Sequence, residues 1–483
     1  MKFTNNSFPF LNTISVLFTI ILLIILLYAY PQFKHPYYTW ISLAQIFLVS
    51  VLCTLFSYTN SIILQLYSLN FQLFWVQRVI ITFFFPNELD FYEHMKFTAA
   101  DIQNSTFMLL GVCCAILIAT LVYNKFLQRR KSHSVNNIED DINPDILKHS
   151  SNTFRRNFLD FIQLSLKLII AGYLVKLLVL FGTGVGFTGM TYSSAQTLLK
   201  WFSDLVDVFS FLLFFILFTK NKIKSTIYFK IAFFLFIISS LILSSRALPF
   251  VLLMNYLIIS SLFKYRIGKI TKFYMVVGFI GSIVILFPLI TGLRTYIVSG
   301  NFDPFRNFSK ILFVFSSRLS FYDPTTLWLT FPRSAIPVNL TLYGEIIDTI
   351  NRFYIGELIP MPERVEIAKL MVLYGRGVIG NFNEIGGHAE NLGPFSLLWL
   401  YFGTWGTFIY YFFFTIVQHK VMDTKWHVFV KFAFLFFYSI GPAQGIIIPS
   451  GSFLLFMILF LVTFSFIMVR KLVRPLFQPS TSQ

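Results

Sequence analysis

Long apolar runs separated by short polar stretches dominate the chain. Runs such as Leu11–Tyr30 and Phe107–Leu127 hold about 20 mostly apolar residues, the length that crosses the hydrocarbon core of a bilayer as an α-helix. Because such runs follow one another along the chain, the pattern predicts an all-α, polytopic integral membrane protein. We predict twelve spans, at approximately 11–30, 39–58, 62–84, 107–127, 158–181, 196–219, 226–244, 247–263, 273–292, 395–417, 429–447 and 452–470.

The basic residues fall on one side of this predicted topology. With both termini inside, the clusters QRRKSHS (128–134), KNKIK (220–224), KYRIGKITK (264–272) and RKLVR (470–474) all lie inside. The short outer loops then hold little positive charge beyond Lys34 and Lys96, as the positive-inside rule requires. The pattern therefore predicts a multi-pass membrane protein with both termini in the cytoplasm.

One connection is much longer than the others, and it divides the chain into three parts. Residues 1–292 are predicted to form spans one to nine, and residues 395–483 spans ten to twelve with a cytoplasmic tail. Between them, residues 293–394 form a large extracytoplasmic loop with equal numbers of basic and acidic residues. In LYGEIIDTINRFYI (342–355) apolar residues recur at helical spacing, which predicts short amphipathic helices on the membrane face.

Composition agrees with a membrane protein and argues against nucleic-acid binding. Of the 483 residues, 56% are hydrophobic and only 12% are charged, about half the usual charged share of a soluble protein. The net charge of +17 is explained by cations retained in inner loops. Cys53, Cys113 and Cys114 lie inside apolar runs without CxxC spacing, so neither a metal site nor a disulfide framework is predicted.

Ionisable side chains inside predicted spans require an explanation, because burying them in lipid costs free energy. Span five carries Lys167 and Lys176, and span six carries Asp204 and Asp207 at a spacing that places both on one helix face. Lys176 and Asp204 lie at similar predicted depth. They form either an interhelical ion pair that holds the bundle together or part of a proton or substrate path.

Three arginines are predicted at the outer boundary of the membrane. Arg246, in LILSSRALPFVLL, lies in an outer turn, and Arg294 and Arg78 lie near the outer ends of their spans. A guanidinium where lipid headgroups meet a cavity suits bidentate phosphate binding, although Arg246 could also be an exposed helix end. Together with Arg376 in the large loop, these arginines are candidates for binding the phosphate of an anionic lipid carrier.

The polar segment GNFNEIGGHAENLGP (380–394) returns the large loop to the membrane. It contains the titratable residues Glu384, His388 and Glu390, and paired glycines that allow a sharp turn. It is either a polar loop with satisfied side chains or a source of general-base catalysis. In the second reading, Glu390, His388 or Glu384 activates an acceptor hydroxyl while arginines hold a phosphate leaving group.

Several common catalytic motifs do not occur in the sequence. There is no GxxxxGK[ST], HExxH or GxSxG, and no DxD that would hold Mg²⁺ for a nucleotide sugar. An enzyme that uses ATP or a nucleotide sugar is therefore disfavoured, and no metal or other cofactor is expected.

Two segments resemble O-antigen polymerases of the Wzy type. LILSSRALPFVLLMNYLIISSLF resembles their small-small-Arg element, and EIGGHAENLGPFSLLWLYFGTWGTFIYYFFFTIV is similar to their late motif before a span with FGxxG. The resemblance implies a GT-C-like membrane glycosyltransferase that joins undecaprenyl-pyrophosphate-linked oligosaccharide repeat units on the outer face of the inner membrane. Arg246 and Glu390 match family positions. HAENL partly resembles a His-Asn element of O-antigen ligases, which makes His388 the second candidate base.

The resemblance also implies the partners. These are the lipid-linked oligosaccharide, the bilayer, a chain-length-regulating membrane protein and a flippase that supplies the repeat units. An O-antigen ligase has the same donor and is the nearest alternative. A flippase or transporter that uses Lys176, Asp204 and Asp207 is another, but the chain shows no internal repeat. An acyltransferase that modifies surface polysaccharide is a third alternative.

Overall fold

The computed structural model describes residues 9–29, 35–85, 98–127, 152–183, 212–213, 215–217, 226–242, 281, 285, 289, 393–424 and 428–435. The regular secondary structure within these ranges is helical. The helices are α1 (Pro9–Tyr28), α2 (Trp40–Ser57), α3 (Ile62–Phe71), π1 (Gln72–Val76), α4 (Gln77–Phe84), α5 (Ala99–Val122), π2 (Tyr123–Leu127), α6 (Asn152–Thr183), α7 (Ile227–Ile242), α8 (Gly393–Asp423) and α9 (Val428–Leu435).

Three helices are long and apolar enough to cross a membrane by length and composition. They are Leu11–Tyr28, Trp40–Ser57 and Ala99–Lys125. These segments correspond to the predicted spans 11–30, 39–58 and 107–127, so the prediction of an all-α membrane protein is confirmed at this coarse level. The predicted spans 62–84 and 158–181 are helical over their whole length, and 395–417 is helical except at Gly403.

Local sequence signals set where two of the membrane helices begin. Before α2, the Thr39 hydroxyl accepts from the backbone N–H of Ser42, and the Ser42 hydroxyl contacts the backbone N–H of Thr39. Before α5, Thr98 and Asp101 make the same reciprocal pair. Each capping box satisfies donors that the first helical turn would otherwise leave unpaired, which stabilises the helix start by about 1 kcal/mol.

The chain divides into two compact units. Unit 1 comprises residues 1–134, 307–426 and 441–448, and unit 2 comprises residues 135–306, 427–440 and 449–483. Unit 1 therefore contains the helices from α1 to π2 together with α8, which follows the large predicted loop. Unit 2 contains α6, α7 and α9.

Within unit 1, hydroxyl and amide groups join the first three helical segments. Thr19 of α1 contacts the hydroxyls of Ser50 and Thr54 on α2 at 2.8 Å and 2.9 Å. From the third segment, Ser68 donates to the backbone carbonyl of Cys53 at 2.7 Å and Gln72 donates to Ser50 at 3.3 Å. The order of the last two pairs makes the third helical segment antiparallel to α2. Such interhelical hydrogen bonds contribute about 0.6–2 kcal/mol each, because apolar contacts alone drive helix association weakly in lipid.

The third helical segment contains a widened turn. In π1 the backbone N–H of Gln77 donates to the carbonyl of Gln72, five residues earlier. The helix continues through this turn from α3 into α4, so residues 62–84 remain one helical run. Insertions of this kind recur at functional sites because they change the direction of the side chains that follow. The first charged side chain after π1 is that of Arg78.

α8 packs on α5 in a parallel orientation. Phe408 contacts Phe107, with ring centroids 6.3 Å apart, and Thr120 contacts His419 further along both helices. If both helices cross the membrane, their common direction requires an odd number of crossings between them. The five predicted spans from 158 to 292 satisfy this condition.

Unit 2 pairs α6 with α7 through aromatic contacts. The rings of Tyr173 and Phe236 are 6.1 Å apart. The ammonium of Lys167 lies 5.4 Å from the centroid of the Tyr228 ring, and buried Lys176 lies 5.9 Å from that of Tyr173. Both distances are in the range of cation–π attraction. Asp204, the predicted partner of Lys176, lies outside the described residues, as does Asp207 on the same predicted helix face.

Candidate functional site

Of the seven predicted site residues, Arg78 lies within the described part of the chain. The other six fall outside it, and their predicted roles stay predictions: Arg246, Arg294, Arg376, Glu384, His388 and Glu390.

Arg78 lies on α4 and is completely buried. It is one of the largest fully buried side chains, together with Trp75 one turn earlier. A guanidinium withdrawn from solvent costs free energy unless acceptors or opposite charges surround it. Its burial places Arg78 inside unit 1, rather than at an exposed helix end.

A chain of hydroxyl groups runs from the start of α2 to the backbone of Arg78. The Thr82 hydroxyl donates to the carbonyl of Arg78 at 2.8 Å, and the Tyr38 hydroxyl is hydrogen-bonded to Thr82. Because the Thr82 proton is directed to the backbone, Tyr38 is the donor in their contact. This chain fixes the turn of α4 that carries Arg78 against the connection between α1 and α2.

His35 lies beside this turn of α4, at the same end of unit 1 as Arg78. Its Nδ1 accepts from the backbone N–H groups of Tyr37 at 3.1 Å and Tyr38 at 3.3 Å, so the proton of the neutral ring is on Nε2. That nitrogen donates to the carbonyl of Phe83 at 3.0 Å, and the His35 and Phe83 rings stack with centroids 5.1 Å apart. Burial lowers the pKa of His35, although its bond to the Phe83 carbonyl acts in the opposite direction.

We call His35, Tyr38, Arg78, Thr82 and Phe83 the His35 cluster. Both ring nitrogens of His35 are used in backbone contacts, so this histidine is not available as a general base. The cluster supplies a buried cation on a rigid support. A reaction that also needs a base must obtain it from another segment, such as the predicted 380–394 loop.

A second polar cluster lies at the opposite end of unit 1. The Tyr123 hydroxyl donates to Oδ2 of Asp423 at 2.6 Å, and the Tyr123 ring stacks on that of His419 with centroids 5.2 Å apart. Thr120 contacts Nε2 of His419 at 3.1 Å. Nearby, the Tyr67 hydroxyl donates to Gln418 at 2.8 Å. We call the six residues in these contacts the His419 cluster: Tyr67, Thr120, Tyr123, Gln418, His419 and Asp423.

The His419 cluster joins helices rather than forming a recognisable catalytic site. Thr120 also contacts the carbonyl of Ile116 at 2.9 Å, as serines and threonines often do within helices. None of these six residues was predicted as a site residue from the sequence. The available signal was QHKVMD at the end of the tenth predicted span, where His419 and Asp423 are four residues apart on one helix face.

Among the described residues, no group of three or more His, Cys, Asp or Glu side chains could hold a metal ion. The three cysteines are free thiols, with Cys53 and Cys113 buried and Cys114 exposed. Comparison of the chain with models of protein families, with curated protein sequences and with solved structures finds no match.

Proposed function

We propose that this protein is a membrane glycosyltransferase that polymerises undecaprenyl-pyrophosphate-linked oligosaccharide repeat units on the outer face of a bacterial inner membrane. The product would be a surface polysaccharide such as an O-antigen or a capsule. The observation that carries the proposal is the complete burial of Arg78 at the end of unit 1 that the positive-inside rule predicts to be external.

A buried arginine at that depth suits a lipid-linked pyrophosphate. The isoprenoid tail stays in the bilayer, so its diphosphate is held at the membrane boundary, where a planar guanidinium can donate two hydrogen bonds to phosphate oxygens. The hydroxyl chain through Tyr38 and Thr82 restrains the backbone beneath Arg78. Arg246 and Arg294 are predicted to lie at the same boundary and would share the charge.

The reaction requires one bond to form and one to break. A hydroxyl of the acceptor repeat unit attacks the anomeric carbon of the growing chain, and the bond from that carbon to the pyrophosphate oxygen breaks. The pyrophosphate leaves with the bonding electron pair, and arginines stabilise its charge. Glu390 is the first candidate to remove the proton of the hydroxyl, with His388 second and Glu384 third.

The proposal also accounts for the motifs that the sequence lacks. The energy for the new glycosidic bond comes from the lipid pyrophosphate that is released, so neither an ATP site nor a nucleotide-sugar site is needed. The predicted external loop of about one hundred residues would cover the sugar chains.

Deletion of the gene in a polysaccharide-producing host tests the function. A surface polysaccharide that carries single repeat units without the long ladder on a gel would support polymerisation. Complete loss of attached sugar would instead indicate a ligase, and accumulation of lipid-linked repeat units on the cytoplasmic side would indicate a flippase.

Variants of Arg78 then test the site in the complemented deletion strain. We expect Arg78→Gln to abolish the ladder, and Arg78→Lys to leave short chains because it keeps the charge but loses the two-pronged geometry. Lys420→Gln is the matched control, since it removes one positive charge from an exposed position near the opposite end of the same unit. Equal amounts of each variant in the membrane fraction are required. A full ladder from Arg78→Gln would contradict the assignment.

A further inference from the structure

The helix that follows the large predicted loop is broken inside its apolar sequence. Gly403, within α8, has φ 70° and ψ −174°. A residue with a Cβ atom is excluded from this backbone region by steric overlap, so only glycine adopts it at low cost. The preceding residues of α8 and the residues from Thr404 onward are therefore two helical segments that meet at a bend.

Neighbouring residues are fitted to this bend. A Cβ atom added to Gly406 would overlap the Cβ of Phe402, so the bend brings Phe402 against a position that must lack a side chain. The Thr407 hydroxyl donates to the carbonyl of Gly403 at 2.8 Å. A carbonyl at a helix break in lipid needs such a donor, because no bulk water is available there. The sequence FGTWGT (402–407) thus contains all three parts of the bend. Gly403 adopts its backbone conformation, Gly406 leaves room for Phe402, and Thr407 donates the hydrogen bond.

The segment after the bend is anchored to the early helices of unit 1. A Cβ on Gly111 of α5 would overlap the ring of Phe408, so the two helices approach closely at this level. Further along, Gln418 accepts from Tyr67, and Asp423 accepts from Tyr123. These contacts hold the later part of α8 at several levels, whereas the segment before the bend is continuous with the predicted loop that contains Glu390.

We infer that FGTWGT (402–407) is a positioning element, a fixed bend that sets the direction of residues 393–402, the part of α8 through which the predicted large loop joins unit 1. Gly403, Gly406 and Thr407 are its positioning residues. The inference rests on the proposed function, since that function assigns the base of the reaction to the predicted large loop. If the helix were straight and kept the same contacts after residue 403, residues 393–402 would point in a different direction.

A distance measurement tests the bend without any assumption about activity. Spin labels are placed at Ser396→Cys and Val417→Cys in the full-length protein in nanodiscs, with the exposed Cys114 replaced by Ser. A straight helix would separate the two Cα atoms by about 32 Å. We expect a shorter separation in the parent protein and a shift towards the straight-helix value in Gly403→Ala. An unchanged distance in Gly403→Ala would overturn the assignment of the bend.

A paired substitution gives a second test in case Gly403→Ala is not produced. Gly406→Ala places a Cβ against that of Phe402, and we expect it to change the label distance and shorten the polysaccharide. Adding Phe402→Gly removes the opposing atom, so the double variant should recover at least half of the parental chain length. Gly281→Ala is the matched control, because a Cβ there meets no atom within 4 Å.

The outcomes separate the bend from the proposed function. A changed distance together with at least a tenfold loss of long chains supports the inference, and rescue of Gly406→Ala by Phe402→Gly strengthens it. A changed distance with normal polysaccharide overturns the positioning role. If deletion of the gene leaves the polysaccharide unaltered, the proposed function fails and the positioning role fails with it, while the distances still decide whether the bend exists.

Discussion

The two polar clusters at the ends of unit 1 are built from chain segments at very different separations. The His35 cluster joins residues less than fifty positions apart, and its hydrogen bonds involve mainly backbone groups. The His419 cluster joins side chains about 300 or more positions apart, such as Tyr123 with Asp423 and Tyr67 with Gln418. The His35 cluster therefore joins segments that are close in the sequence. The His419 cluster instead attaches α8, which comes much later in the chain, to the early helices of unit 1.

This difference suggests different roles in the protein. The His35 cluster restrains the turn that carries Arg78, the cation in the proposed reaction. The His419 cluster restrains α8, the helix through which the predicted loop with Glu390 reaches the bundle. Four substitutions can break or sharpen this comparison, and all can be followed through the buried thiols of Cys53 and Cys113. With Cys114 replaced by Ser, the temperature at which a maleimide dye reacts reports the opening of unit 1.

The largest effect is expected from Gly111→Ala. The new methyl group overlaps the Phe408 ring and forces α5 and α8 apart, which should cost about 1–3 kcal/mol of unfolding free energy. The dye-reaction temperature should fall clearly, and Phe408→Ala added to the variant should restore part of it. Gly281→Ala should leave the temperature unchanged. A parental temperature for Gly111→Ala would show that α8 does not contact α5 so closely.

A smaller effect is expected from Tyr123→Phe. It removes the hydroxyl that donates to Asp423 but keeps the ring that stacks on His419. The loss should be about 1 kcal/mol, because Asp423 is exposed and water replaces the lost donor. The double variant with Asp423→Asn should be little worse than Tyr123→Phe alone. Fully additive losses would mean that the two side chains do not act as a pair.

Thr19→Val tests the hydrogen bonds that join α1 to α2 within unit 1. The side chain keeps its shape, but α1 loses its contacts with Ser50 and Thr54 on α2. We expect a loss of about 0.6–1.7 kcal/mol, the range of interhelical hydrogen bonds in membranes. Leu17→Val, at an exposed position of the same helix, is the control. If both variants melted alike, the hydroxyl contacts would contribute nothing measurable.

The smallest effect is expected from the pH dependence of His35. Burial lowers its pKa in the folded protein, so the unfolded chain takes up the proton first as the pH falls. Stability should therefore be highest above the unfolded pKa of about 6.5 and decrease below it. The difference in dye-reaction temperature between pH 7.5 and pH 5.5 should be smaller in His35→Gln than in the parent. An equal difference in both proteins would exclude this histidine as the cause.

The helices themselves could be predicted from particular residues of the sequence. The apolar runs predicted α1, α2 and α5 to within a few residues at most ends, and the Thr98–Asp101 pair marks where α5 begins, eight residues before the predicted span. The widened turn π1 could not be predicted, because nothing in QLFWV distinguishes it from an ordinary helical turn. The sequence marked Arg78 as a candidate phosphate-binding residue, and this stays a prediction; its complete burial depends on its neighbours in the folded protein.

Within the five residues FGTWG, one part could also be predicted from the sequence and another depends on the folded structure. The sequence indicated two glycines near the start of a span and a resemblance to a family motif. The backbone conformation of Gly403 and the contact between Gly406 and Phe402 explain why a residue with a Cβ atom would not fit at either position. A glycine in an apolar run is compatible with a straight helix, a close helix contact or a break, and the sequence does not choose among them.

The sequence by itself determined that the chain forms apolar helices, because helix formation in lipid depends on local length and composition. It also determined the predicted orientation, through the distribution of basic residues. Only the tertiary structure decided which helices are neighbours and which polar groups meet, as for His419 with Thr120. The physical reason is that lipid is as apolar as the helix surfaces, so pairing depends on close packing and a few hydrogen bonds between residues far apart in the chain.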